Sequence, residues 1–349
     1  MVEDKFTEEQ EQEQELYENH RFTVDRGQET MRMDKYLQMR IEGVSRTKIQ
    51  AAAKADCILV NGKPTKSSYK IKPLDVISVL LPTPPRELEI VPQQIDFKIV
   101  YEDDDLLVVD KQAGLVVHPG FGNFDGTLLN ALAWYYENKK DKEGNPITPY
   151  LVHRIDKDTS GLLLIAKTEE AQIHLAKQFF DHTIERKYNA LVWGDFDEDN
   201  GTIDGNLARS AKDRRIMAVY DDPEVGKHAV THWHVLERFG YVTLVECVLE
   251  TGRTHQIRAH MKHIGHPLFN DAAYGGDQIL KGTTFSKYKQ FVDNCFTLLP
   301  RQALHALVLG FEHPITHKQM HFESPFPDDM RAVIEKWRNY SQNRNLNLE

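Results

Sequence analysis

Apolar residues run together only briefly in this chain, and what surrounds one such run constrains the fold most. Leu162–Ala166 (LLLIA) reads as a buried strand, and the nine residues before it, His153–Gly161, are dense in polar and charged groups. Polar loop residues mounted on a rigid apolar strand are where active sites tend to sit. Runs such as Gly161–Ala166 are far too short to cross a bilayer. The opening residues MVEDKFTEEQ are acidic and polar, unlike a secretory signal. Cys57, Cys247 and Cys295 lie far apart and form no CxxC or Cys/His metal pattern. An odd cysteine count without a signal fits a reducing cytoplasm. With 40% apolar residues in 349, the chain can bury a substantial core, and its length suggests two or three domains or one large domain with appendages.

The net charge of −10 argues against a generally basic nucleic-acid binder, but the charge is unevenly spread. Residues 1–29 hold ten acidic and three basic groups, and the Glu/Gln-rich stretch from Glu8 to Glu15 lacks apolar periodicity, as expected of a disordered, solubilising leader. Residues 30–81 hold ten basic groups against four acidic ones. That local excess can attract phosphates, because the interaction acts within a Debye length of about 8 Å.

Met33, Tyr36, Leu37 and Ile41 have helical spacing that ends at Gly43, and Ser45 is a candidate N-cap for a second helix from Arg46 to about Ala55. Ile49, Ala52 and Ala53 of that helix can face a core while Arg46 and Lys54 stay near polar surface. Two short strands follow, Ile58–Val60 and Val76–Leu81, separated by the Asn61-Gly62 turn and a lysine series. The PTPP of residues 82–85 marks a stiff domain boundary. The expected organisation is therefore a leader (1–29), a small basic domain (30–81), a linker (82–89), a large domain (90–338) and a tail (339–349). In the large domain we expect strands at Leu106–Asp110, Leu162–Ala166, Lys187–Val192, Ala229–Val235 and Tyr241–Leu249, with helices at Glu169–Phe180, His255–His263 and Arg331–Asn339. Strands and helices do not alternate regularly, so the fold class is α+β rather than a doubly wound sheet.

Two stretches can carry chemistry. In His153-Arg154-Ile155-Asp156-Lys157-Asp158-Thr159-Ser160-Gly161, cations flank Asp156, and Gly161 permits a tight reversal into the strand. The residues alone leave open a surface turn with ion pairs. In Thr251–His260 (TGRTHQIRAH), a helix entered near Thr254 puts Arg258 on one face and Gln256 and His260 on another; a solvated helix face is the bland alternative. Rival chemistries are weaker. His260/His263 and His232/His234 lack an HExxH arrangement. Gly120–Gly126 has one residue too many for GxGxxG. Ser160, His153 and Asp156 lie too close in sequence for a triad and lack GxSxG.

HRIDKDTSG resembles the HRLD-x-x-TSG signature of the RluA-type pseudouridine synthases. TGRTHQIRAHMKHIGHP is similar to a later conserved segment of that family, and Glu185–Gly194 (ERKYNALVWG) to the intervening tyrosine segment. Agreement continues through Arg301–Ala306 and His313-Pro314. Residues 30–81 resemble an S4 RNA-binding domain, including the Ser45-Arg46 and Val60-Asn61-Gly62 landmarks. The resemblance spans about residues 30–330, and an S4 domain in front is most like the D-type branch, which modifies large-subunit ribosomal RNA. Departures are Ile155 for the usual Leu, Asp110 and Gln112 in VDKQAG, and Asn270 before Asp271.

The resemblance implies a catalytic domain on a mixed, largely antiparallel sheet, preceded by a small αα-β S4 domain. It implies Asp156 as the nucleophile that starts breaking the C1′–N1 bond of a uridine, Arg258 as its ion-pair partner, and Tyr188 against the uracil. Arg154 would enter the space left by a flipped nucleotide. Arg40, Arg46, Lys48, Lys54, Lys63 and Lys66 would dock phosphates. No metal or redox cofactor is implied; the expected partner is RNA, 23S ribosomal RNA or a large-subunit precursor, and the protein would work as a monomer away from membranes. A transfer-RNA synthase and a non-catalytic RNA-binding assembly factor are the alternatives.

Overall fold

The computed structural model describes residues 17–41, 46–54, 57–81, 90–119, 123, 125–211, 213, 216–222 and 224–346. The chain divides into two compact units, the smaller within residues 11–89 and the larger built on residues 90–349.

In the smaller unit, β1 (Tyr17–Thr23), α1 (Met33–Arg40), α2 (Arg46–Lys54), β2 (Ile58–Val60), β3 (Lys63–Pro64) and β4 (Val76–Leu81) follow in order. The strands form an antiparallel sheet in the order β1-β4-β2-β3. Asn61 (φ +52) and Gly62 (φ +78) are both left-handed, as the two-residue hairpin between β2 and β3 requires. Met33, Tyr36 and Leu37 of α1, Ile49 and Ala53 of α2, and Ile58, Val60, Ile77 and Val79 of the sheet bury together. Ser45 lies outside the described residues.

Strand β1 corrects the expected boundary at residue 30. Tyr17–Thr23 pairs with β4, and Val24 beyond it is fully buried. The strong acidity of residues 1–29 hid a segment whose role is tertiary: β4 would otherwise present an open edge, and β1 covers it. Residues 1–16 of the expected leader, and the expected linker, lie outside the described residues.

The larger unit comprises β5 (Lys98–Glu102), β6 (Leu106–Lys111), α3 (Leu128–Tyr136), β7 (Tyr150–Leu151), β8 (Ser160–Ala166), α4 (Glu169–Phe180), β9 (Glu185–Trp193), β10 (Asn200–Arg209), β11 (Met217–Tyr220), β12 (Lys227–Arg238), β13 (Val242–Leu249), α5 (Gln256–His263), α6 (Ser286–Leu298), β14 (Leu304–Glu312), β15 (Gln319–Glu323) and α7 (Asp328–Leu346). Its sheet runs β11-β10-β12-β13-β9-β14-β8-β6-β5, with β15 beside β14 and β7 beside β8. Among the described residues each registered pair in it is antiparallel except β8 with β14, where His305 faces Ser160 and Ala306 faces Gly161.

Both faces of this sheet are covered at its centre. Along β9, Tyr188, Ala190 and Val192 join one core with residues of α3 and α5, while Leu191 and Trp193 join another with α6 and α7. Along β8, Leu163 and Ile165 face the first core, and Leu162 and Leu164 pack on the α4 side. Burial on both faces is why β8 is apolar throughout rather than alternating. Helix α4 begins where its chemistry says it should: Thr168 Oγ1 accepts from Ala171 N (3.2 Å), with Glu169 and Glu170 in the first turn.

The expected tail at 339–349 is also corrected. Helix α7 continues to Leu346, with Trp337 fully buried and Tyr340 stacked on Phe291 at 4.7 Å between ring centres. Beyond Asn339 it is Tyr340 that anchors the helix, within an otherwise polar stretch. Gly161 differs from expectation as well. It does not turn the chain. Its φ of +113 sets it against Ala306 in the parallel contact, where a Cβ would lie 2.2 Å from the Ala306 carbonyl oxygen.

Candidate active site

The loop leading into β8 is fixed before its functional groups are considered. Ile155 is buried in the main core. His153 Nε2 accepts from Leu164 N (2.8 Å), and the ring stacks on Phe179 at 4.6 Å between centres. That hydrogen bond needs a neutral imidazole, and burial lowers the His153 pKa to about 3. Downstream, the fully buried Lys111 Nζ donates to the carbonyls of Gln112 (2.9 Å), Leu115 (2.9 Å) and Lys157 (2.8 Å). Burial brings its pKa down to about 7. Arg301 donates to the Asp158 carbonyl (2.9 Å) and is itself held by Asp329 (2.7 Å). Asp156 is thus presented on a backbone pinned from both sides.

Asp156 lies on one wall of a cavity of about 470 Å³ whose lining includes Arg154, Arg186, Tyr188, Arg253, His255 and Arg258. Arg258 projects from the first turns of α5 and is only 2% exposed. Its Nη1 donates to Asp156 Oδ2 (3.0 Å), while Nε and Nη2 donate to Asp271 Oδ2 (2.8 Å) and Oδ1 (2.9 Å). The guanidinium also sits 5.0 Å from the centre of the Tyr274 ring. One carboxylate therefore locks the fork in two places, and the remaining arm aims the other carboxylate.

Burial disfavours the Asp156 anion, but His255 (when protonated, in the acid range), Arg258 and Arg154 outweigh burial and hold its carboxyl below the usual range. His255 is itself lowered to about 4 by burial and by Arg258. At neutral pH the imidazole is uncharged, so the two guanidiniums are the charges that keep Asp156 ionised. His255 caps α5 in a left-handed conformation (φ +48), with Nε2 4.0 Å from Asp156 Oδ2 and Nδ1 3.0 Å from the Tyr274 hydroxyl. With that hydroxyl donating to Nδ1, the imidazole proton resides on Nε2, facing the carboxylate. Tyr188, 8% exposed on β9, is raised by burial and stays a phenol at neutral pH.

Of the second polar face expected on α5, Gln256 lines the cavity but commits its amide to neighbouring groups, and His260 lies away from it. Gln256 Oε1 accepts from Thr251 Oγ1 (2.7 Å) and Arg253 N (2.9 Å), and its amide donates to Val230 O (2.9 Å). His260 Nδ1 meets Thr231 Oγ1 (2.9 Å). These groups fasten the helix to β12. Arg154 is exposed at the cavity.

The cations singled out in the smaller unit are placed differently from one another. Lys54, Lys63 and Lys66 are exposed. Arg40 pairs with exposed Asp25 (3.1 Å). Arg46 donates from Nε and Nη2 to Asp34 Oδ2 (3.1 Å each), and Arg32 grips the same fully buried carboxylate. Arg46 is thereby a structural residue as well as a half-exposed cation. The Lys48 side chain lies outside the described residues.

One group among the described residues, Asp103, Asp105 and His313, sets three ligand-type atoms within 4.8 Å of one another. His313 Nδ1 accepts from Ile315 N and Thr316 N, so its proton is on Nε2 and goes to Asp103 Oδ2 (2.9 Å). Asp103 Oδ1 is occupied by Asp105 N and Leu106 N. This is a closed hydrogen-bonded turn rather than an open ligand set. Sequence reasoning overlooked Asp271, Tyr274 and His255. No spacing rule ties Asp271 to Arg258 across thirteen positions.

The sequence model of the family described as RNA pseudouridylate synthase matches residues 105–263. A protein of Chlorobaculum parvum named an uncharacterized RNA pseudouridine synthase is 45% identical over 318 residues, which covers 90% of this chain and 96% of that protein. The chain belongs to the RNA pseudouridine synthase family. The synthase is also 42% identical over 311 residues to ribosomal large subunit pseudouridine synthase D of Zymomonas mobilis, covering 87% of this chain and 93% of that one. The solved structure of human RNA pseudouridylate synthase domain containing 1 shares its fold with a TM-score of 0.51 at 26% identity, over 71% of the synthase and 89% of the human chain. The synthase is an isomerase acting on RNA, of the RluA type. Among its described residues no helix is long and apolar enough to cross a membrane.

Proposed function

We propose that this synthase converts specific uridines of large-subunit ribosomal RNA to pseudouridine, with Asp156 as the nucleophile. The observation that carries the reading is the 3.0 Å pairing of Asp156 with a guanidinium locked from behind by Asp271, inside a cavity shared with Tyr188. An anionic, oriented carboxylate in a partly dry pocket can stabilise or bond to a sugar carbon as the C1′–N1 bond breaks. The freed uracil rotates and rejoins through C5. The C5 proton is lost and N1 gains one, so the reaction is redox-neutral. Tyr188, a phenol at neutral pH, packs against the base and assists that proton movement.

A stacked uridine must leave its helix to reach Asp156, at a cost of a few kcal/mol. Arg154, exposed beside the nucleophile, is suited to fill the space the nucleotide leaves. The smaller unit acts as an S4-type RNA-binding domain, beginning at Tyr17 rather than at residue 30. Its exposed Lys54, Lys63 and Lys66, with Arg40, Arg46 and Lys48, supply a local positive field on an acidic protein. The ribosomal substrate is supported by the relatives named large-subunit synthase D, at 39–42% identity. Mapping pseudouridine in cellular RNA with and without the protein tests the reading. Sites lost from large-subunit ribosomal RNA support it, and sites lost from transfer RNA alone would overturn the substrate.

A further inference from the structure

Arg186 precedes Tyr188 by two residues on β9, so the two side chains leave the sheet on the same face, and both line the cavity that holds Asp156. Arg186 is 7% exposed, yet it has no carboxylate partner among the described residues. Its Nε is buried with nothing to bond, and Nη2 reaches only the Glu250 carbonyl at 3.4 Å. Its Cζ lies 5.3 Å from the centre of the Phe179 ring, which supports the plane without neutralising it. Gly252 leaves room for the group: a Cβ there would stand 2.5 Å from Arg186 Nη1. A buried guanidinium with most of its five donors idle is costly to keep, because the desolvation of the charge is not offset by a counterion.

The cavity lining is positive as well. Arginines stand at positions 154, 186, 253 and 258 and a carboxylate at Asp156, and Arg258 is matched by Asp156 and by Asp271 behind it. A uracil and its ribose are neutral and satisfy none of this surplus. The anions that RNA brings are its phosphodiesters, whose paired oxygens match an arginine fork.

We propose that Arg186 binds a phosphodiester adjacent to the uridine delivered to Asp156, forming a phosphate subsite beside the reacting sugar. The inference rests on the reading that a uridine of RNA enters this cavity. It explains why an unpaired charge is retained two residues from Tyr188, and why residue 252 has no side chain.

The test uses the full chain with uridine, uridine 3′-monophosphate and uridine 5′-monophosphate as probes in direct binding, comparing the wild type with Arg186→Gln and Arg186→Lys. One monophosphate should bind the wild type about tenfold tighter than uridine. That gain should fall below about threefold in Arg186→Gln and persist in Arg186→Lys, with uridine affinity alike in all three. The thermal midpoint of Arg186→Gln without ligand should equal or exceed that of the wild type, since an uncompensated charge has been removed. No gain for either monophosphate in the wild type overturns the proposal. So does a gain that survives Arg186→Gln, or a variant that loses stability while keeping the gain. An Asp156→Ala protein that still made pseudouridine would sink the nucleophile assignment and leave this measurement untouched.

Discussion

Asp156 and Asp271 hold opposite arms of one guanidinium, at 3.0 Å on one side and 2.8 and 2.9 Å on the other. Only Asp156 faces the cavity; Asp271 is 1% exposed and cannot meet a substrate. The pair divides its labour. The buried acid fixes direction, and the open acid keeps its charge for chemistry.

Replacing Asp156 with Ala should lower pseudouridine formation at least about a thousandfold while leaving RNA affinity within a few-fold. Arg258 keeps both bonds to Asp271 in that variant, so the fold survives. Product release assays and RNA titration read the two effects separately, and residual activity near the wild-type level would exclude Asp156 as nucleophile.

Removing Asp271 is a different perturbation, because it takes the two bonds that lock a buried guanidinium from behind. Asp271→Ala should destabilise the larger unit by about 3–5 kcal/mol in urea unfolding. In Arg258→Gln, burial acts on Asp156 with one less opposing charge, so its carboxyl moves upward. The acid limb of kcat/KM, expected below the ordinary carboxylate range in the wild type, should then shift to higher pH. An unmoved limb would mean that another group sets it.

Three histidines shielded from solvent are held neutral: His153 at about 3, His255 and His260 at about 4. All lie below the ordinary imidazole value near 6.5. Stability from these groups is complete above that value and is lost as pH falls toward the folded values, because the unfolded chain binds more protons there. Each contributes a slope of up to about 1.4 kcal/mol per pH unit in that window. His153→Gln keeps an acceptor for Leu164 N but cannot titrate. Its thermal midpoint should fall less between pH 7.5 and pH 5 than that of the wild type; parallel curves would rule the His153 contribution out.

Gly161 and Gly114 form an internal control. Both have positive φ, +113 and +84, but a Cβ on Gly114 meets nothing within 4 Å, whereas one on Gly161 strikes the Ala306 backbone. Gly114→Ala should cost about 1–2 kcal/mol, the backbone conformation alone. Gly161→Ala should cost at least about 3 kcal/mol, as backbone atoms cannot step aside. Chemical denaturation of the two variants decides whether the parallel contact is as tight as described.

Some elements with an internal signal were legible in the chain, although β14, buried along most of its length, was missed. Leu162–Ala166 announced a strand by being apolar throughout, and α4 has the bounds read from its Thr-Glu-Glu start and apolar spacing. Strands β10, β11 and β15 escaped notice because their residues are half-buried and mixed in character. Strand β1 was masked by acidic neighbours, since pairing with β4 is a tertiary fact. The meeting of Asp156 and Arg258, 102 positions apart, came from motif likeness and not from any period in the chain. Asp271, Lys111 and Arg301 were hidden for the same reason: they serve carbonyls and charges brought to them by folding, which no local pattern encodes.

Only two residue pairs register between β8 and β14, and that short join separates the blocks that supply the reaction. The nucleophile arrives with β8, while the phenol and the guanidinium arrive with β9 and α5. Thermal slippage along this seam would misalign the acid and its escort while every helix remains intact. Enzyme held at rising temperature should therefore fall silent before its circular dichroism changes, with activity reporting on one joint rather than on the whole molecule.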